Sequence, residues 1–251
     1  MPARTDNVRD PELAAALLLM RRGQAYWARK LNELHDDEFD APSRVPGWTR
    51  RQLIAHVGFH ARAVARVVES ARTGIEQPPY DSLEQRAEEI DFGATLPTEA
   101  LRNLCAHAAV HLNVEWRDLP EASWASEVRT AGGRLVPAAE TVWMRTREVW
   151  IHAVDLDNGG RVTDFPPELV DALLDDLVRV WRRRRRVGDR DVVLEPMDRA
   201  QRYPVQTEAR TGDPLIVRGT AADLVAWGTG RGDRGISTPD GDRPPPAPRW
   251  P

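Results

Sequence analysis

The stretch on which the fold turns is Trp143-Met-Arg-Thr-Arg-Glu-Val-Trp-Ile-His-Ala-Val-Asp155. With Thr141 just before it, the polar residues Arg145, Glu148, His152 and Asp155 recur every three or four positions, so on a helix they form one stripe. Val142, Val149, Ala153 and Leu156 flank that stripe on one side, and Trp143, Trp150 and Val154 on the other. A helix that is apolar on both shoulders is largely buried, so its polar stripe faces an interior cleft rather than bulk water. The pattern predicts a long helix that starts at Pro137 and stops at Asp157-Asn-Gly-Gly160, a C-terminal signal.

Three more long helices are expected upstream. Asp10-Pro11 reads as an N-cap with a proline in the first turn, and Leu13, Leu17, Met20, Trp27, Leu31 and Leu34 follow at helical spacing. After the proline- and glycine-bearing loop from Phe39 to Trp48, the capping box Thr49-Arg-Arg-Gln52 opens a second helix that Gly74 ends. A shorter helical segment spans Ser82 to Ile90. Thr98 after Pro97 caps a third long helix bearing Leu101, Leu104, Ala108 and Leu112, which ends before Pro120. Ser123 to Val136 is expected to be a loop or hairpin. Four long helices connected in this way predict a helix bundle.

Beyond Gly160 the pattern changes. Pro167 to Arg186 reads as a helix, and three short strands follow at Asp191 to Leu194, Arg202 to Thr207 and Pro214 to Arg218. Thr220-Ala-Ala-Asp223 then caps a last helix through Trp227. The expected organisation is a bundle over residues 8–161, an α+β domain over 162–242, and a proline-rich tail over 243–251 with little reason to pack.

Composition bounds the function. The chain has 251 residues, 41% hydrophobic and 29% charged, which suits two globular domains and not a disordered chain. Its net charge of −4, from 35 basic and 39 acidic residues, gives no bulk attraction to nucleic acid. No apolar run approaches about 18 residues, and no secretory signal pattern is present at the start, so the expectation is a cytoplasmic protein without a membrane segment. One cysteine, Cys105, excludes an intramolecular disulfide framework and an all-cysteine zinc site. The five consecutive arginines Arg182 to Arg186 end a predicted helix, where cations complement the dipole.

The candidate chemistry lies with histidines. Glu148-x-x-x-His152 has the spacing that lets a carboxylate and an imidazole meet one ion, and such a pair needs a third ligand. The second helix offers His56 and His60 on a face shared with Leu53, Val57, Val64 and Val67, and the third offers His107 and His111. The same spacings also suit structural ion pairs and hydrogen-bonded histidines between helices, and both readings stay open on the residues alone.

The stretch from Trp143 to Asp155, together with Pro42-Ser-Arg-Val-Pro-Gly-Trp-Thr49 and Leu53-Ile-Ala-His56, resembles the mycothiol-dependent maleylpyruvate isomerase family. The likeness continues through Tyr80-Asp-Ser-Leu-Glu-Gln-Arg86 and Val128-Arg-Thr-Ala-Gly-Gly-Arg-Leu-Val-Pro137 to Ala226-Trp-Gly-Thr-Gly-Arg231. It implies an α+β protein with an N-terminal DinB-like four-helix bundle and a smaller, sterol-carrier-like α+β domain. It also implies a divalent metal, zinc, held by His56, Glu148 and His152 with a position left open. His60 stands where the family usually has an asparagine-like residue, which makes it a supplementary polar contact and leaves the ligand count open. Asp155, one turn after His152, is placed to support that ligand or cap the helix.

The resemblance further implies that the thiol is mycothiol, so no protein nucleophile is needed and Cys105 is a core residue. Zinc would keep the sulfur a thiolate, which adds to the cis double bond of maleylpyruvate, allows rotation in the enolate, and leaves to give fumarylpyruvate. Arg86 and Arg231 are expected to bind the substrate carboxylates and the cofactor. The implied role is an isomerase of gentisate-type aromatic degradation, acting as a monomer or weak homo-oligomer. Two other functions stay open: a mycothiol S-transferase acting on another electrophile, and a non-catalytic thiol- or anion-binding protein.

Overall fold

Helix α1 (Pro11–Glu33) begins where Asp10 accepts from the Glu12 amide, with Pro11 in the first turn. Helix α2 (Arg50–Thr73) opens on the reciprocal bonds of Thr49 and Gln52 and ends at Gly74, whose φ of +72° is a left-handed cap that glycine adopts without strain. A computed structural model of the chain describes residues 5–186, 189–205 and 212–250. It divides into two units, Met1–Gly160 and Arg161–Pro251, and its class is α+β, with seven α-helices among the described residues.

The first unit adds α3 (Leu83–Ala94), α4 (Thr98–Asp118) and α5 (Glu140–Asp155). Helix α2 packs against α4, α5 and α3, while α1 packs against α5 and α4. Leu17, Met20, Val64, Val68, Leu112, Trp116 and Val142 share one apolar cluster. Each such side chain removed from water contributes about 1.5–3 kcal/mol. Helices α1 and α5 approach closely at Gly23, where a Cβ would lie 2.8 Å from Val149 Cγ2 and would also meet the Trp150 indole. Gly23→Ala is therefore expected to destabilise the unit by about 1–2 kcal/mol despite alanine's better helix propensity, read as a lower urea midpoint at unchanged slope. An unchanged or higher midpoint would show that the interface relaxes at no cost.

Several boundaries differ from the sequence expectation. Thr98 is the first helical residue of α4 and makes no cap bond; Pro97 occupies the cap position. Helix α3 runs to Ala94, past the expected end at Ile90. Pro137 does not start α5. It ends strand β2 (Leu135–Pro137), which pairs antiparallel with β1 (Glu127–Arg129), and α5 begins at Glu140. Val128 and Val136, opposite one another, bury into the unit, and this burial holds Pro137 in the ribbon, at a strand end where its missing N–H is tolerated.

The second unit opens with α6 (Pro167–Arg184) and holds a three-stranded sheet ordered β4 (Tyr203–Val205), β3 (Val192–Pro196), β5 (Leu215–Gly219). Strand β3 pairs antiparallel with β4 and parallel with β5. Residues 206 and 207, expected to extend β4, lie outside the described residues. Helix α7 (Ala221–Gly228), capped by Thr220, packs on α6 with Trp181 and Trp227 edge to face at 5.9 Å. The proline-rich end, expected to lie loose, packs on this unit. Trp227 Nε1 donates to Pro245 O (3.1 Å) and Trp250 Nε1 donates to Asp176 Oδ2 (3.1 Å). Buried indole N–H groups require acceptors, and the tail supplies one and brings the other donor to its partner. No described helix is long and apolar enough to cross a membrane.

Candidate metal centre

Two helices build the site. His56 and His60 lie one turn apart on α2, and Arg145, Glu148, His152 and Asp155 follow one another along α5. Arg50 ties the start of α2 to the end of α5, because its guanidinium donates to Leu156 O (2.6 Å) and Asp157 O (2.8 Å). Those carbonyls have no partner within α5, so the arginine both caps the helix and fixes its position along α2.

Glu148 is the centre of the cluster. Its Oε1 is abutted by His56 Nε2 and lies 3.4 Å from His152 Nε2, while its Oε2 lies 3.8 Å from His60 Nε2. His56, Glu148 and His152 each offer a ligand atom within 4.8 Å of the others. All three side chains are nearly buried, at 7%, 16% and 15% exposure.

Whether this cluster fits a cation can be tested on its hydrogen bonds. Glu148 Oε1 is buried and has no hydrogen-bond partner, although two ring nitrogens crowd it. Asp155, itself fully buried, faces His152 Nδ1 at 2.9 Å, so in the neutral ring the proton sits on Nδ1 and the Nε2 lone pair points toward Glu148. A nitrogen lone pair and a carboxylate oxygen aimed at one spot suit a cation there. Two imidazoles and one carboxylate suit zinc with a fourth position open.

Burial lowers the His56 pKa, and burial with Arg145 nearby pushes His60 down to about 3 against the pull of Glu148, so both rings are neutral. Burial also acts to lower His152, but Glu148 and Asp155 outweigh it and raise the ring to about 9. Burial would raise Glu148, yet the three imidazoles hold it well below the ordinary carboxylate range.

Around the cluster, Arg86 of α3 places Nη2 3.1 Å from His56 Nδ1 and stacks over the Tyr80 ring at 5.9 Å. Burial pushes the Tyr80 phenol up to about 12. Trp48 packs edge-on against His56 at 5.3 Å. Cys105 is buried, donates to Ile54 O (3.3 Å) and is pushed up to about 12 by burial, so it is a protonated core thiol.

Of the residues singled out from sequence, the fold brings His56, Glu148, His152, His60, Asp155 and Arg86 together. His107 and His111 do not join them; both are exposed on α4, and His111 pairs with Glu115 at 3.5 Å. Arg231 lies in the second unit, after α7, where its guanidinium bonds Thr229 O. Sequence reasoning gave no role to Tyr80 or Arg145. The signal for Arg145 was its place in the polar stripe, one turn before Glu148; Tyr80 stood in the motif that ends at Arg86 and carried no other signal.

Comparisons with known proteins show the family. Residues 20–157 match the model of the mycothiol maleylpyruvate isomerase N-terminal domain. The chain is 40% identical to a protein whose solved structure is described as the crystal structure of the mycothiol-dependent maleylpyruvate isomerase. That match has a TM-score of 0.89 and covers 95% of this chain and 97% of the other. A histidine-to-alanine mutant of the same enzyme matches with a TM-score of 0.88 at the same identity and coverage. A search of curated proteins gave no match.

Proposed function

Because the chain belongs to the mycothiol maleylpyruvate isomerase family, we propose that it is a metal- and mycothiol-dependent enzyme that converts maleylpyruvate to fumarylpyruvate. The observation that carries the reading is the convergence of His56, Glu148 and His152 on one spot, where two ring nitrogens crowd one buried carboxylate oxygen. The fold reading that goes with it is a DinB-like four-helix bundle followed by a sterol-carrier-like domain. The setting is gentisate-type degradation in the cytoplasm, by a monomer or weak homo-oligomer.

Mycothiol supplies the sulfur, whose reversible addition to the cis double bond frees that bond to rotate, and zinc supplies the Lewis acidity that keeps the sulfur a thiolate near neutral pH. The chain's own residues prepare the site. Asp155 holds His152 in the Nδ1–H tautomer, so Nε2 is available as a ligand. Glu148 supplies the negative charge that two neutral imidazoles lack. Trp48 and the near-complete burial of His56 keep water off that ring.

Arg86 is the candidate clamp for a substrate carboxylate. A guanidinium only donates, so its contact uses His56 Nδ1 as an acceptor, whereas ligation through Nε2 puts the ring proton on Nδ1. With His56 held as a ligand through Nε2, Nδ1 would no longer accept from Arg86, and the guanidinium fork would be available to an anion. Tyr80, protonated throughout the neutral range, guides the guanidinium from beneath. Arg231 is the proposed second clamp.

The test is direct. Purified protein with zinc and mycothiol is expected to convert maleylpyruvate to fumarylpyruvate, followed by ultraviolet absorbance, and Arg86→Ala is expected to raise KM for the dianion. Conjugation of mycothiol to another electrophile without isomerisation would instead identify an S-transferase. Asp155→Ala is expected to weaken zinc binding about 10–100-fold, measured against a chromophoric chelator. Unchanged affinity would remove Asp155 from the support of His152.

A further inference from the structure

Arg145 is only 1% exposed, on α5, one turn before Glu148. A buried guanidinium has to place its N–H groups on acceptors. Nη1 donates to Val57 O (2.8 Å) and lies 3.3 Å from His60 Nδ1, and Nη2 donates to Gln24 Oε1 (3.0 Å). These contacts join α1, α2 and α5. Arginine has five donors and no acceptor, so His60 Nδ1 must present its lone pair and the single ring proton must sit on Nε2. That Nε2 faces Glu148 Oε2 at 3.8 Å, beyond direct hydrogen-bond distance, whereas the nearest contacts of His56 and His152 are with Oε1.

We propose that Arg145 and His60 are positioning residues for the metal centre: Arg145 sets the His60 tautomer, and the resulting N–H edge attracts Glu148 Oε2 electrostatically, so that Oε1 alone is presented as ligand. The proposal rests on the reading of His56, Glu148 and His152 as the ligand set. Its chemical consequence is coordination number. A carboxylate free to turn can offer both oxygens to one ion, which fills the position an incoming sulfur needs. With Oε2 facing a ring N–H, the carboxylate would offer an ion only Oε1 and would leave the open position free.

The opposing view is that Arg145 and His60 only satisfy buried polar groups between helices. Two substitutions at the less buried partner separate the views. His60→Gln keeps an oxygen to accept from Arg145 and an N–H to offer Glu148, whereas His60→Leu keeps neither. The expectation is that zinc affinity, measured by chelator competition, falls about 10–100-fold in His60→Leu and largely recovers in His60→Gln. Cobalt(II) loaded in place of zinc is expected to show weaker d–d absorption in His60→Leu, as coordination rises above four, and wild-type bands in His60→Gln.

Two-bond proton–nitrogen correlation spectra give a readout that needs no metal. They are expected to show His60 as the Nε2–H tautomer in the wild-type protein. The proposal is overturned if His60 is the Nδ1–H tautomer, or if folded His60→Leu protein binds zinc with wild-type affinity and gives the wild-type cobalt spectrum. Wild-type protein that takes up neither zinc nor cobalt would overturn the ligand-set reading itself and the proposal with it, and that failure is recognised because it precedes any substitution.

Discussion

Glu148→Gln protein is expected to bind zinc more than about 100-fold more weakly than the wild-type protein, exceeding the loss typical of a residue that only supports a ligand, and to show no mycothiol-dependent isomerisation. The substitution keeps the size of the side chain and removes its charge. Oε1 is the atom on which His56 and His152 converge, and the carboxylate is the anion nearest the cluster of three imidazoles and the buried Arg145. A neutral amide leaves Arg145 without a counter-charge in a low-dielectric interior, so a lower melting temperature is expected alongside the lost zinc. Zinc content after gel filtration and turnover under saturating mycothiol are the measurements. Near-wild-type turnover in the glutamine variant would remove Glu148 from the centre of the chemistry.

The second large effect is on pH. In chelator-treated protein His152 is raised to about 9, with Glu148 and Asp155 outweighing burial, so below that pH the ring is an imidazolium. A metal binds only the neutral ring, and His56 and His60 are neutral already, so binding displaces one proton. Apparent zinc affinity is expected to rise about tenfold per pH unit from pH 6.5 to 8.5 and to level off above about 9. The linked stability has the opposite slope. A raised pKa contributes stability that is fully present below the unfolded value near 6.5 and is lost as pH rises through about 9. Metal-free protein is thus expected to lose stability over the range in which zinc affinity grows. Chelator competition at fixed free zinc and urea titration across the range would measure both, and a zinc affinity independent of pH would contradict the His152 assignment.

Asp155 belongs to both effects. It fixes the proton on His152 Nδ1 and also helps to raise the ring's pKa, so its loss weakens the ligand while moving the break in the pH profile downward. On the proposed ligand set the centre would trade proton against metal through a single ring, with residues outside that set governing the exchange.

What the residues determined by themselves was whatever depends on neighbours a few positions apart. Helix α2 between Thr49 and Gly74, the start of α1 at Asp10 and Pro11, and the polar stripe of α5 are all local patterns of capping and spacing. Glu148 and His152 were legible as a pair because four residues span one turn. The end of the ribbon at Pro137 was not, because burial of Val128 opposite Val136 overrode a proline that reads equally well as a helix start. Spacing also could not choose between His56 with His60 on α2 and His107 with His111 on α4, since both pairs are four residues apart. Tertiary packing made that choice, by placing α2 against α5 while the face of α4 that carries His107 and His111 stays exposed. The same packing gave Arg145 its task, because a guanidinium that reads as one more charge in a stripe becomes, once buried between three helices, a donor that finds its acceptors on α1 and α2.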